Sequence, residues 1–261
     1  MTKIAGAAAA LLLSLSAAAR ADVWDLQTDN DDVYQTDNEL THGTIQQHDL
    51  GARPGPVADK DWYLIPQRAY SSYEVIIDGV SGDLGHGIRL SRYEQGGNTV
   101  LQESGPATGV DGQSRAIRWS NPTGSFVREL IRVGDGPCLW TCGPEDVYTI
   151  RSRDTTIGIS RWNASGGQTT VLQTQNVSER TVFANFFYWS ASGTLLQHGT
   201  LSLPPRQLNV WNVSNFAALA GQSGHITIAH DGGYGALNVK AVALEPSTGF
   251  TFDTPGTYIP Y

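Results

Sequence analysis

The chain has almost no helical period. Beyond its first twenty or so residues, apolar side chains come in short alternating runs rich in Val, Ile, Thr and aromatics, and Gly, Pro, Asn or Asp breaks them every 8–12 residues. In YEVIID the alternation puts Tyr73, Val75 and Ile77 on one face; in FVRELIRV it does the same for Val127, Ile131 and Val133, with Glu129 as the interruption. HITIAH sends Ile226 and Ile228 one way and His225, Thr227 and Ala229 the other. Such a pattern buries one face of each strand, so it predicts an all-β fold of antiparallel sandwiches. Only SNFAALA (214–220) reads as helix, for two turns at most.

The run MTKIAGAAAALLLSLSAAARA has a basic start at Lys3, an apolar stretch to Leu15 and a small-x-small site at Ala19-Arg20-Ala21. It predicts a signal peptide over 1–21 and export to the periplasm or beyond. No other apolar run has the length of a membrane span. Cleavage removes Lys3 and Arg20, leaving 15 basic against 25 acidic residues, a net charge of −10. Such a balance disfavours nucleic acid and anionic membranes, which select basic patches.

About eight strands precede RSRDTT (151–156) and seven follow it, the second count being that of an immunoglobulin-like unit. The expected organisation is therefore two β-sandwich domains in tandem, 22–153 and 154–261. Gly232-Gly233, between HITIAHD and YGALNVKAV, reads as a hairpin turn.

The first unit resembles the bacterial pre-peptidase C-terminal (PPC) domain family. The resemblance rests on ordered elements: acidic NDDVYQTDNEL, the strand HGTIQQ, DKDWYLI in place of the family's D-x-D-[YFW] signature, then YEVIIDG, IRLSRYEQGGNTVLQES and a closing DVYTI. It covers roughly 24–153. It implies a non-catalytic sandwich of the kind attached to secreted enzymes, some relatives of which bind calcium or an extracellular polymer. By position it implies Asp31, Asp32, Asp59 and Asp61 as calcium ligands. Calcium takes six to eight oxygens, and the acidic loop and strand entrance are rich in them. The same residues also suit plain turn chemistry, since Asp and Asn bond their own backbone.

Cys138 and Cys142, in GPCLWTCGP, are the only cysteines, and in an exported chain they predict a local disulfide. In the chain-entropy model a loop this small stabilises by about 2 kcal/mol. Trp140 inside that loop is a candidate contact for a sugar ring or a protein partner, or a cap on the sandwich. FANFFYW (183–189) carries aromatics on both faces, which predicts burial on two sides with the domain interface taking part of it.

No G-x-S-x-G elbow, H-E-x-x-H or P-loop occurs. The sequence therefore points to a non-catalytic binding, adhesion or accessory protein whose partner is an extracellular or periplasmic protein or polysaccharide. The rivals are a hydrolase assembled from dispersed His198, His225 and His230 with Asp and Ser, and a structural subunit of an envelope assembly. Asn163, Asn176 and Asn212 each match the N-x-S glycosylation sequon, a match read as incidental.

Overall fold

The computed structural model describes residue 31 and residues 33–51, 60–82, 88–104, 114–134 and 145–259. The fold is all-β and antiparallel, as the alternation requires. Its first eight strands are β1 (Ile45–Asp49), β2 (Asp61–Gln67), β3 (Ser71–Gly79), β4 (Arg89–Tyr93), β5 (Val100–Glu103), β6 (Arg115–Asn121), β7 (Val127–Gly134) and β8 (Val147–Asp154). They form two four-stranded sheets, β1-β8-β3-β6 and β2-β7-β4-β5. Tyr63, Ile65, Val75, Ile77, Ile131 and Ile150 meet between them with almost no exposure. Glu129 stays half-buried because it accepts hydrogen bonds from Gln67 Nε2 (2.6 Å) and Arg92 (2.8 Å).

Nine strands follow: β9 (Ile157–Asn163), β10 (Thr169–Asn176), β11 (Val182–Ser190), β12 (Leu195–Leu203), β13 (Leu208–Asn212), β14 (Ser223–His230), β15 (Leu237–Glu245), β16 (Phe250–Pro255) and β17 (Thr257–Tyr258). They build the sheets β13-β10-β15-β16 and β12-β11-β14-β9-β17. Seven strands were expected here. TGFTFDTP adds an edge to one sheet and the pair Thr257–Tyr258 an edge to the other. SNFAALA forms two 3-10 turns, Val213–Asn215 and Ala217–Leu219, rather than a helix. Its core packs Trp162, Leu172, Phe186, Tyr188, Ile226 and Ile228. In FANFFYW, Phe186 and Tyr188 enter this core, and Phe187 is buried on the opposite face.

The three N-x-S motifs are turns. Asn163 Oδ1 accepts from Ser165 N (3.0 Å), Asn176 Oδ1 from Ser178 N (2.9 Å) and Asn212 Oδ1 from Ser214 N (2.8 Å). Each side chain bends its own backbone two residues on, which is why Asn and Ser recur at these strand ends.

Gly232-Gly233 differs from the hairpin expectation. β14 and β15 lie in different sheets, so the turn crosses between layers. It docks on the first sheet pair: Tyr234 N donates to Glu74 Oε2 at 3.2 Å, and a Cβ on Gly233 would lie 2.8 Å from Glu74 Oε1. Glu74 is also held by Arg118 Nε (2.6 Å) and faces Arg153 at 3.8 Å. A second contact comes from the β2–β3 turn. Tyr70 sits in the left-handed region (φ +55) and puts its ring 4.8 Å from Phe187 and 4.9 Å from Trp189. A non-glycine residue there costs roughly 1–2 kcal/mol, which the two edge-to-face ring contacts help to offset.

Candidate functional site

Asp61 opens β2 on the same face as Tyr63, so the alternation that buries the tyrosine buries the carboxylate too. The stretch before β1 runs back over β2. Trp62 N donates to Asp31 O (2.6 Å), Leu64 N to Asn38 O (2.9 Å) and Leu40 N to Leu64 O (3.0 Å). This pinning carries the Asp31 side chain inward to Asp61. His48 arrives from β1, in the opposite sheet. One ligand-capable atom from each of Asp31, His48 and Asp61 lies within 4.8 Å of the other two, and all three residues are buried.

The neighbours orient these groups. His48 Nε2 lies 3.0 Å from Gln46 Oε1, and Gln46 Nε2 donates to Asn38 Oδ1 at 2.9 Å. That chain sets the glutamine carbonyl toward the ring, so Nε2 carries the hydrogen and Nδ1 presents its lone pair. The ring lies edge-on to Tyr63 (5.1 Å) and stacked on Tyr148 (5.7 Å). Tyr148 OH donates to Asp61 Oδ2 and meets Tyr63 OH at 2.7 Å. Burial, and then the Asp61 charge, hold the Tyr148 hydroxyl well above its ordinary pKa, so it stays a donor.

The structure thus brings together two of the four carboxylates expected at a cation site, Asp31 and Asp61. Asp32, Asp59, Trp140, Cys138 and Cys142 lie outside the described residues, as does the 1–21 segment. The strand HGTIQQ read from the sequence ends at Gln47 and leaves His48 past its end, whereas β1 runs on to Asp49. In the observed register Gln46 and His48 share a face, and that spacing was the available signal. Among the described residues the donors suit calcium poorly. An imidazole nitrogen is not one of its ligands, and two aspartates fall short of six oxygens.

His198, His225 and His230 do not converge. His198 stacks on Phe187 at 4.6 Å, His225 on Trp189 at 6.0 Å, and buried His230 meets Tyr258 edge-on at 6.0 Å.

A second feature lies between the edge strands β12 and β13, where a cleft of about 360 Å³ opens. Its aromatic wall is Phe186, Tyr188, Trp211 and Phe216. Trp211 packs edge-on against Phe186 (5.0 Å) and donates Nε1–H to Tyr188 OH (3.0 Å), which fixes its plane. Burial pushes the Tyr188 phenol up to about 12, so it remains neutral. No Asp, Glu, Lys, Arg or His lines the cleft, and the side-chain amides of Asn209 and Asn215 make no hydrogen bond among the described residues.

The chain matches no protein-family model and no curated protein. Among solved structures it is similar to the pre-peptidase C-terminal domain of a Bacillus anthracis collagenase, at 11% identity over 44% of this chain and 93% of that one, with a TM-score of 0.32. It is also similar to a Bacteroides uniformis β-glucuronidase, at 13% identity over 77% of this chain and 26% of the enzyme, TM-score 0.21. A third is a glycosyl hydrolase family 2 member from Bacteroides cellulosilyticus, at 11% identity, 81% and 31% coverage and TM-score 0.24. The chain spans about a third or less of either hydrolase's length.

Proposed function

We propose that the chain is an exported binding or accessory protein without a catalytic centre, its first sandwich PPC-like and its second immunoglobulin-like, and that it takes a neutral polysaccharide in the β12–β13 cleft. The observation that carries this is the cleft's composition: oriented aromatic rings, two amides open to hydrogen bonding, and no charged side chain. A pyranose has an apolar face that stacks on indole and hydroxyls that bond to amides, and the volume is at the small end of ordinary ligand sites. A charged ligand would find no counter-charge there. Export rests on the leader-like start of the chain, and the PPC-like assignment on the order of its motifs.

Native affinity electrophoresis through gels cast with neutral polysaccharides tests this. Retardation by at least one polymer, abolished in Trp211→Ala, is the expected result. No retardation in any neutral polymer, retardation unchanged in the variant, or cleavage of the polymer would each overturn it.

A further inference from the structure

The Asp31–His48–Asp61 group has the spacing of ligands around one small ion. His48 Nδ1 and Asp31 Oδ2 are 3.6 Å apart. That is long for a hydrogen bond between imidazole and carboxylate. Two ligands on one tetrahedral zinc, each at about 2.0–2.1 Å, stand roughly 3.3–3.5 Å from each other. The observed gap is close to that value and far from a charge-assisted contact of about 2.7–2.9 Å.

The ring is also prepared as a metal-binding histidine usually is. Its remote nitrogen is engaged by a carbonyl, here Gln46 Oε1 at 3.0 Å, which fixes the tautomer and aims the other lone pair at the site. Gln46 is in turn fixed by Asn38 (2.9 Å). One nitrogen and two carboxylates is a donor set for a borderline ion such as zinc, not for calcium.

We infer that Asp31, His48 and Asp61 form a structural site for a zinc-type divalent ion that joins the two sheets of the first sandwich. Asp31 is hydrogen-bonded through its backbone to β2, Asp61 belongs to β2, and His48 belongs to β1 in the other sheet. Because the residues are fully buried, the ion enters as the chain folds and leaves on unfolding.

The test is to unfold the full chain with a chelator, then refold it separately with zinc, cobalt(II), calcium or chelator alone. With zinc, one equivalent of metal per chain after desalting and a thermal midpoint several degrees above the chelator sample are expected. Cobalt(II) should give the intense visible bands of a four-coordinate nitrogen–oxygen set. His48→Gln should lose bands and midpoint rise alike, and Gln46→Ala should weaken affinity about 10- to 100-fold. The wild-type cobalt spectrum reads the site even if a variant does not fold. Zinc below a tenth of an equivalent, a colourless cobalt protein, or a midpoint raised by calcium and not by zinc would each overturn the inference.

Discussion

His230 ends β14 with no exposed surface, and Gly232 N donates to its Nδ1 at 3.1 Å. Burial, opposed only in part by the Thr155 backbone, lowers its pKa from 6.5 to about 4. The folded chain thus holds the ring neutral at a pH where the unfolded chain protonates it. Below pH 6.5 the unfolded state binds the extra proton, so stability falls as pH drops from 6.5 and stops falling from this source below 4. The fall from 6.5 to about 4 corresponds to about 3 kcal/mol in full, and to about 2 kcal/mol at pH 5. The assay is urea unfolding from pH 8 to pH 4.5 on the native chain and on His230→Asn. Asparagine keeps an acceptor for the Gly232 N–H but does not titrate. The variant's lost packing against Tyr258 lowers its stability at every pH and cancels in the pH dependence. At a slope of about 2 kcal/mol per M, the native midpoint should fall between pH 8 and pH 5 by about 1 M more than the variant's. Equal falls in the two proteins would refute the idea that burial keeps this imidazole neutral.

Two further predictions concern the contact between the sheet pairs. Glu74→Ala leaves Arg118 and Arg153 without their shared carboxylate and strips the acceptor from Tyr234 N; it should cost about 3–5 kcal/mol and split urea unfolding, followed by tryptophan fluorescence, into two transitions. Tyr70→Ala should cost about 1–3 kcal/mol by removing two ring contacts, and Tyr70→Gly about 1 kcal/mol less because it relieves the left-handed backbone; the same denaturation curves rank the two, and the reverse order would mean that no strain is held there.

The layered β architecture was legible because burial of one strand face writes a period of two into the sequence. Tyr73, Val75 and Ile77 are buried as the alternation required. What failed to show was anything settled by contact across layers. The Gly232-Gly233 turn has the composition of a hairpin, and only the placement of β14 and β15 in different sheets reveals a crossover. Asp31 and Asp61 could be named from the acidic pattern, but their convergence depends on the backbone bonds that lay the early segment over β2. His48 carries no local signal of its own, since its meaning depends on a register and on a tyrosine about a hundred residues away. The cleft wall was hidden for the same reason: Trp211 and Phe216 flank a 3-10 turn whose position against β11 is tertiary.

The polar groups in the first core are not a random intrusion into it. Tyr148 stands in one sheet and Tyr63 and Asp61 in the other, joined by hydroxyl and carboxylate, while His48 stacks on Tyr148 and meets Tyr63 edge-on. An apolar core fixes the distance between two sheets but holds their relative slide weakly, because dispersion is nearly indifferent to small offsets. A directional chain of hydrogen bonds through the middle does not tolerate such a slide, since each shifted partner leaves a buried polar atom exposed to its full desolvation cost. The Trp62 N–H bond to Asp31 O ties the early segment to the same strand, next to Asp61, so these polar contacts together fix the offset of the two sheets and of the segment that closes over them.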